Sequence, residues 1–191
     1  LDLLIKRGED IVGLFTHADD PNEEIWFRSV AGLAQQHGIP VHTPESVNTP
    51  AVLALIRALR PDIIFSFYYR NMIKEEILAI PRLGAFNMHG SLLPKYRGRV
   101  PVNWAVLHGE RETGATLHEM VAKPDAGRVV DRERVPILPN DTASEVLGKV
   151  ALAGEIVLER SLAALAAGTA ELVPQDLAAR SDFGGRRPSD R

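Results

Sequence analysis

With 191 residues, 45% hydrophobic and 25% charged, the chain has the size and balance of one globular domain that buries a core. Lys+Arg 22 against Asp+Glu 25 leaves a net charge of −3, so no global basic field draws it to nucleic acid. The absence of cysteine excludes disulfides, thiolate metal sites and cysteine nucleophiles, and it fits a reducing cytoplasm.

No apolar run approaches the roughly 20 residues needed to span a bilayer, and no signal peptide opens the chain. Asn140-Asp141-Thr142 matches a glycosylation sequon, a chance match in a cytosolic protein.

In chain order, Leu1–Lys6 reads as the end of an apolar helix closed by Gly8, so the chain is expected to begin inside an element. Asp10–His17 is β-branched and apolar and suits a buried strand. Pro21–His37 has helical spacing, with Ile25, Val30, Leu33 and Ala34 on one face. Ile39–His42 is a short strand, Thr49–Leu59 a helix with Pro50 near its first turn, and Asp62–Phe67 the clearest strand. Asn71–Ala79 is helical, and Gly84–His89 is a strand running into a loop rich in Gly, Pro and Arg. Pro101–His108 reads as a helix; Gly114–Val121 and Arg128–Val135 are strands joined by the KPDAG turn.

Thr142–Ala167 is a long helix whose Thr142 and Glu145 form a capping-box pattern. From Pro174 the composition turns polar and reads as a linker. Strands alternating with helices predict an α/β fold with a doubly wound, mostly parallel sheet. Neither GxGxxG nor GxxxxGK occurs, which removes the main support for nicotinamide or nucleoside triphosphate chemistry.

In such sheets ligands bind beyond the carboxyl ends of the strands. Asn87 and His89 fall at one such end, and their spacing of two puts both side chains on one face. Asp125 lies in the KPDAG turn. An amide donor can stabilise an oxyanion, an imidazole can take a proton, and a carboxylate can charge and orient that imidazole. This set suits acyl transfer to an amine without a covalent intermediate. From residue types alone a structural reading stands beside the catalytic one, because strand-end histidines and Asp-Ala-Gly turns are common.

Residues 86–118, FNMHGSLLPKYRGRVPVNWAVLHGERETGATLH, together with VAKPDAGRVV at 121–130, resemble the signature regions of the 10-formyltetrahydrofolate-dependent formyltransferases. The resemblance runs over nearly the whole chain. It implies a Rossmann-like catalytic domain at 1–173 lacking its first strand, and a linker at 174–191 toward a C-terminal subdomain. It also implies catalytic roles for Asn87, His89 and Asp125 and 10-formyltetrahydrofolate as formyl donor, with no metal. By the same resemblance the donor borders Phe67, Tyr68, Tyr69, Met72, Ile73, Lys123 and Pro124.

Ser91, Leu92, Lys95, Tyr96, Arg97, Gly98 and Arg99 form the adjoining substrate loop. Its Lys and Arg side chains suit a diphosphate or a solvated loop, and Tyr96 suits a stacking platform or a core cover. FTHADDPNE at 15–23, FSFYYR at 65–70 and Gly90-Ser91 are most similar to the bifunctional polymyxin-resistance branch, which formylates UDP-4-amino-4-deoxy-L-arabinose. Methionyl-tRNA formyltransferases carry Ala-Ser at the Gly90-Ser91 position.

The resemblance therefore implies an amino-sugar nucleotide as partner. The alternatives are a methionyl-tRNA formyltransferase, a formyl-folate hydrolase and a non-catalytic binding module. Of the other histidines, His17 suits a cleft wall or a cap, His37 and His42 the surface, His108 a helix end and His118 a strand surface. No pair of them has metal-binding spacing.

Overall fold

Side-chain caps mark where three helices begin, at Ser29, Thr49 and Thr142, in a computed structural model that describes residues 1–18, 29–69, 71–187 and 190. The chain divides into two compact units: residues 1–61 with 69–80, and residues 62–68 with 81–191.

In the first unit α1, Asp2–Lys6, ends just before Gly8, whose φ of 74° needs no side chain. Strand β1, Leu14–Phe15, pairs in parallel with β2, Val41–His42. Helix α2, Val30–Gln36, is capped by Ser29, whose hydroxyl accepts from the Gly32 amide. The remainder of the helix expected from Pro21 falls largely outside the described residues. Helix α3, Pro50–Leu59, starts as expected, with Thr49 accepting from the Val52 amide and proline in the first turn.

The helix expected over 71–79 shrinks to α4, Glu75–Leu78. Asn48 explains the loss: its amide donates to the Met72 carbonyl (2.7 Å) and accepts from the Lys74 amide (2.9 Å). Backbone groups that would have begun the helix are thereby engaged elsewhere.

The second unit contains strands β3, Ile64–Phe67, and β4, Ala85–His89, which pair in parallel. It continues through β5, Arg97–Gly98, helix α5, Pro101–Leu107, and strands β6, Glu112–Glu119, and β7, Val129–Pro136. The main sheet runs β3-β4-β6-β7, with β4–β6 and β6–β7 antiparallel. A single turn joins β6 to β7, and only antiparallel strands can be joined that way. Among the described residues three of the five strand pairings are parallel, so the sheets are parallel-rich α/β, with β4–β6 and β6–β7 as the antiparallel departures.

Helix α6, Ala143–Ala166, has the expected capping box and packs on β6 and β7. Val146, Val150, Ala153, Val157, Leu158, Leu162 and Leu165 fill that seam at helical spacing. Among the described residues no helix is long and apolar enough to cross a membrane.

The polar C-terminal segment folds back on this unit. Strand β8, Asp182–Phe183, pairs in parallel with β5. The Phe183 ring stacks on Tyr96 at 5.1 Å and lies 5.2 Å from both Trp104 and His108. Trp104 Nε1 donates to the Gly184 carbonyl (3.0 Å), and the Tyr96 amide donates to Ser181 Oγ (2.8 Å).

Candidate active site

Pleating alone places the first two residues. Asn87 and His89 are alternate residues of β4 and share a face, while β6 sets His118 directly opposite Asn87. The third arrives from the 123–127 turn between β6 and β7, where Asp125 adopts φ 50°. His89 Nδ1 and His118 Nε2 each lie 3.5 Å from Asp125 Oδ1. The structure thus brings Asn87, His89 and Asp125 together in the second unit, and adds His118.

His118 corrects the expectation of a strand-surface residue, being only 2% exposed. Spacing along the chain carries no signal for it; the register of β4 against β6 brings it in. Asn87, the residue opposite, was already a candidate, and opposed residues share a face.

Carbonyl partners settle the histidine tautomers, since a carbonyl only accepts. His89 Nε2–H donates to the Tyr96 carbonyl (2.8 Å), which leaves the Nδ1 lone pair free in the neutral ring. His118 Nδ1–H donates to the Glu119 carbonyl (2.8 Å). Its Nε2 then accepts from Asn87 Nδ2 at 3.2 Å, leaving that amide a second hydrogen. Asp125 Oδ2 accepts from the Gly98 amide (2.8 Å).

Burial pushes the His89 imidazole below its ordinary value, against the opposing pull of Asp125 and the Tyr96 carbonyl. Burial alone would raise Asp125. In the acid range where the carboxyl titrates, the protonated rings of His118 (through its Nε2–H) and His89, with the Gly98 amide, outweigh it, and the carboxyl sits below the usual carboxylate range. The pair at neutral pH is therefore a neutral imidazole beside a carboxylate.

The turn has no room to relax. A Cβ at Gly127 would sit 1.9 Å from the Glu119 carbonyl oxygen. Gly127→Ala is expected to destabilise the fold by at least the ~1–3 kcal/mol of an overpacked site, read as a lower thermal midpoint. An unchanged midpoint would mean that the turn moves freely.

The remaining expected residues fall into three groups. Ser91, Tyr96 and Arg97 are buried. Ser91 Oγ donates to the Lys95 carbonyl (2.6 Å), and the Tyr96 hydroxyl donates to Glu110 (2.8 Å). Leu92 is half-buried, whereas Lys95 and Arg99 are exposed. Arg97, Gly98, Lys123 and Pro124 line one open cavity of about 290 Å³ with Asp182, Phe183 and Gly184.

Phe67 and Tyr68, at the end of β3, are 40% and 51% exposed, and the Tyr68 ring lies over Gly90. In the first unit Tyr69 stacks on His17 at 5.5 Å. There Met72 is exposed with its carbonyl held by Asn48, and Ile73 is half-buried. Arg70, part of the FSFYYR likeness, lies outside the described residues.

A sequence profile of the formyl transferase family matches residues 5–162. The chain belongs to that family. Solved structures similar to this chain include WlaRD, a sugar 3N-formyl transferase studied with dTDP and 5-N-formyl-THF. Its identity is 22% and its TM-score 0.77 over 96% of this chain and 64% of that one. The N-formyltransferase of Helicobacter canadensis, in complex with folinic acid and dTDP-3-aminofucose, is 24% identical with a TM-score of 0.75. That match covers 100% of this chain and 66% of the other.

Phosphoribosylglycinamide formyltransferase of Streptococcus pneumoniae is 20% identical, TM-score 0.71, over 86% of this chain and 91% of that one. These likenesses establish a common fold. The chain spans just under two thirds of the length of the first two.

Proposed function

We propose that this chain transfers the formyl group of 10-formyltetrahydrofolate to the primary amine of a nucleotide-linked amino sugar. The observation that carries the proposal is the convergence of Asn87, His89 and Asp125, with His89 Nδ1 unprotonated and 3.5 Å from the carboxylate. The donor supplies an activated formyl carbon. The amine attacks it and a tetrahedral intermediate forms, whose oxyanion takes the second Asn87 amide hydrogen.

His89 Nδ1 accepts the proton that the attacking amine loses. Asp125, 3.5 Å from Nδ1, stabilises the resulting imidazolium by its charge. That proton then passes to the folate nitrogen as its bond to carbon breaks, giving a formamide and tetrahydrofolate. Ser91, the nearest hydroxyl in sequence, is buried and already donates to the Lys95 carbonyl, which favours direct transfer over an acyl-enzyme.

The acceptor we favour is UDP-4-amino-4-deoxy-L-arabinose, used in lipid A modification in the cytoplasm. The likeness at FTHADDPNE, FSFYYR and Gly90-Ser91 supports it, as does a net charge of −3 that offers tRNA no general attraction. WlaRD and the Helicobacter canadensis enzyme, with dTDP and dTDP-3-aminofucose, support the wider class. In this reading Phe67, Tyr68, Tyr69, Met72, Ile73, Lys123 and Pro124 border the donor. Lys95, Arg97 and Arg99 face the diphosphate side, with Ser91, Leu92, Tyr96 and Gly98 shaping the loop.

The complete protein, given 10-formyltetrahydrofolate and a panel of acceptors, tests the assignment by kcat/KM. The panel is UDP-4-amino-4-deoxy-L-arabinose, dTDP-3-aminofucose, phosphoribosylglycinamide and charged initiator tRNA. The highest value is expected for the UDP sugar. A preference for tRNA or phosphoribosylglycinamide would move this chain to another branch of the family.

A further inference from the structure

Resting on the proposed formyl transfer, we infer that Gln175 is a positioning residue for the Asp125 turn. It comes from the segment that the sequence marks as a linker, 50 residues beyond Asp125 in the chain. All the hydrogen-bonding groups of its side chain in play here are used twice. Oε1 accepts from Arg97 Nε (3.2 Å) and Nη2 (2.6 Å). Nε2 donates to the carbonyls of Asp125 (2.8 Å) and Gly127 (2.7 Å).

These contacts grip the turn on its main chain, on either side of Ala126. Asp125 stands there in a left-handed conformation that a non-glycine residue holds only when its surroundings impose it. One end of the clamp is itself fixed. Arg97 is 1% exposed, lies on β5, and its neighbour Gly98 donates its amide to Asp125 Oδ2. Gln175 thus closes a loop of contacts through Arg97, Gly98 and Asp125 back to the turn. In that loop the carboxylate that faces His89 is held from both its backbone and its side chain.

The amide is the only neutral group of this length that offers an acceptor to a guanidinium and two donors to carbonyls. Its loss would leave Arg97 buried without its acceptor, so Gln175→Ala confounds folding with function. Gln175→Glu separates them. It keeps, and charges, the acceptor for Arg97, but turns a lone pair on the carbonyls of Asp125 and Gly127 in place of the two N–H groups. An Arg97→Met/Gln175→Met double variant removes guanidinium and acceptor together, and it serves if the Glu variant does not fold.

In the complete protein, with UDP-4-amino-4-deoxy-L-arabinose and 10-formyltetrahydrofolate, Gln175→Glu is expected to lower kcat by roughly 10- to 100-fold, the scale of a small misplacement. KM should change far less. Hydrogen exchange at the Gly98 amide, which donates to Asp125, should quicken in step, and the double variant, which also removes an arginine of the substrate loop, should repeat the faster exchange. Wild-type kcat with wild-type Gly98 protection in a folded Gln175→Glu protein would overturn the inference and leave Gln175 only as the partner of Arg97. The exchange measurement needs no substrate. If Asp125→Asn leaves kcat intact, the catalytic reading fails while Gly98 exchange still decides the clamp.

Discussion

Replacement of His89 by alanine in the complete protein is expected to slow the proposed transfer by roughly two to four orders of magnitude, the range for loss of a general acid–base group. The effect should lie in kcat, because the proton on Nδ1 belongs to the transition state and not to bound substrate. His89 is buried with Nε2 committed to the Tyr96 carbonyl, so one nitrogen alone is available for proton transfer. Near-wild-type turnover at saturating donor and acceptor would remove His89 from the chemistry, and an effect confined to KM would make it a binding residue.

Asp125→Asn is the second large effect, because it keeps the shape of the turn and removes the charge facing both histidines. An opposite charge at this range favours the imidazolium by about 1–3 pKa units, so kcat should fall by about 10- to 1000-fold. The pH profile supplies a sign. His89 lies below 6.5 in the native protein, so the acid limb of kcat/KM should have its midpoint below 6.5, rising with pH.

Asp125 opposes the lowering of His89, and its removal should move that limb to still lower pH. Stability has the same direction. The folded protein binds fewer protons than the unfolded chain at both His89 and Asp125, so their contribution is present at neutral pH. On acidification that of His89 is lost below 6.5, and that of Asp125 as pH falls from 3.8 through its folded value. A limb that stays in place in Asp125→Asn would show that the carboxylate acts by packing alone.

Local chemistry made much of this legible in advance. Thr49 and Thr142 cap the helices their positions mark, and the spacing of Asn87 and His89 puts both on one face, as strand geometry requires. The Gly-containing KPDAG turn delivers Asp125 to them. What escaped was non-local. His118 enters the site only through the register of β4 against β6, which no spacing along the chain reveals. Gln175 and Phe183 sit in a polar stretch whose composition reads as solvated, yet they bind Arg97 and Tyr96, some eighty residues earlier. The shortened α4 has the same origin, since Asn48 competes for its backbone from another part of the chain.

Direct transfer is tested most plainly by following the formyl carbon itself. The complete protein is supplied with 10-formyltetrahydrofolate carrying a ¹³C label in the formyl group and with UDP-4-amino-4-deoxy-L-arabinose, and carbon resonances are recorded over time. The expected result is a formamide resonance that grows in one-to-one step with tetrahydrofolate and is abolished by His89→Ala. Label that leaves only as formate, at a rate indifferent to the amino sugar, would contradict formyl transfer to an amine and make water the acceptor.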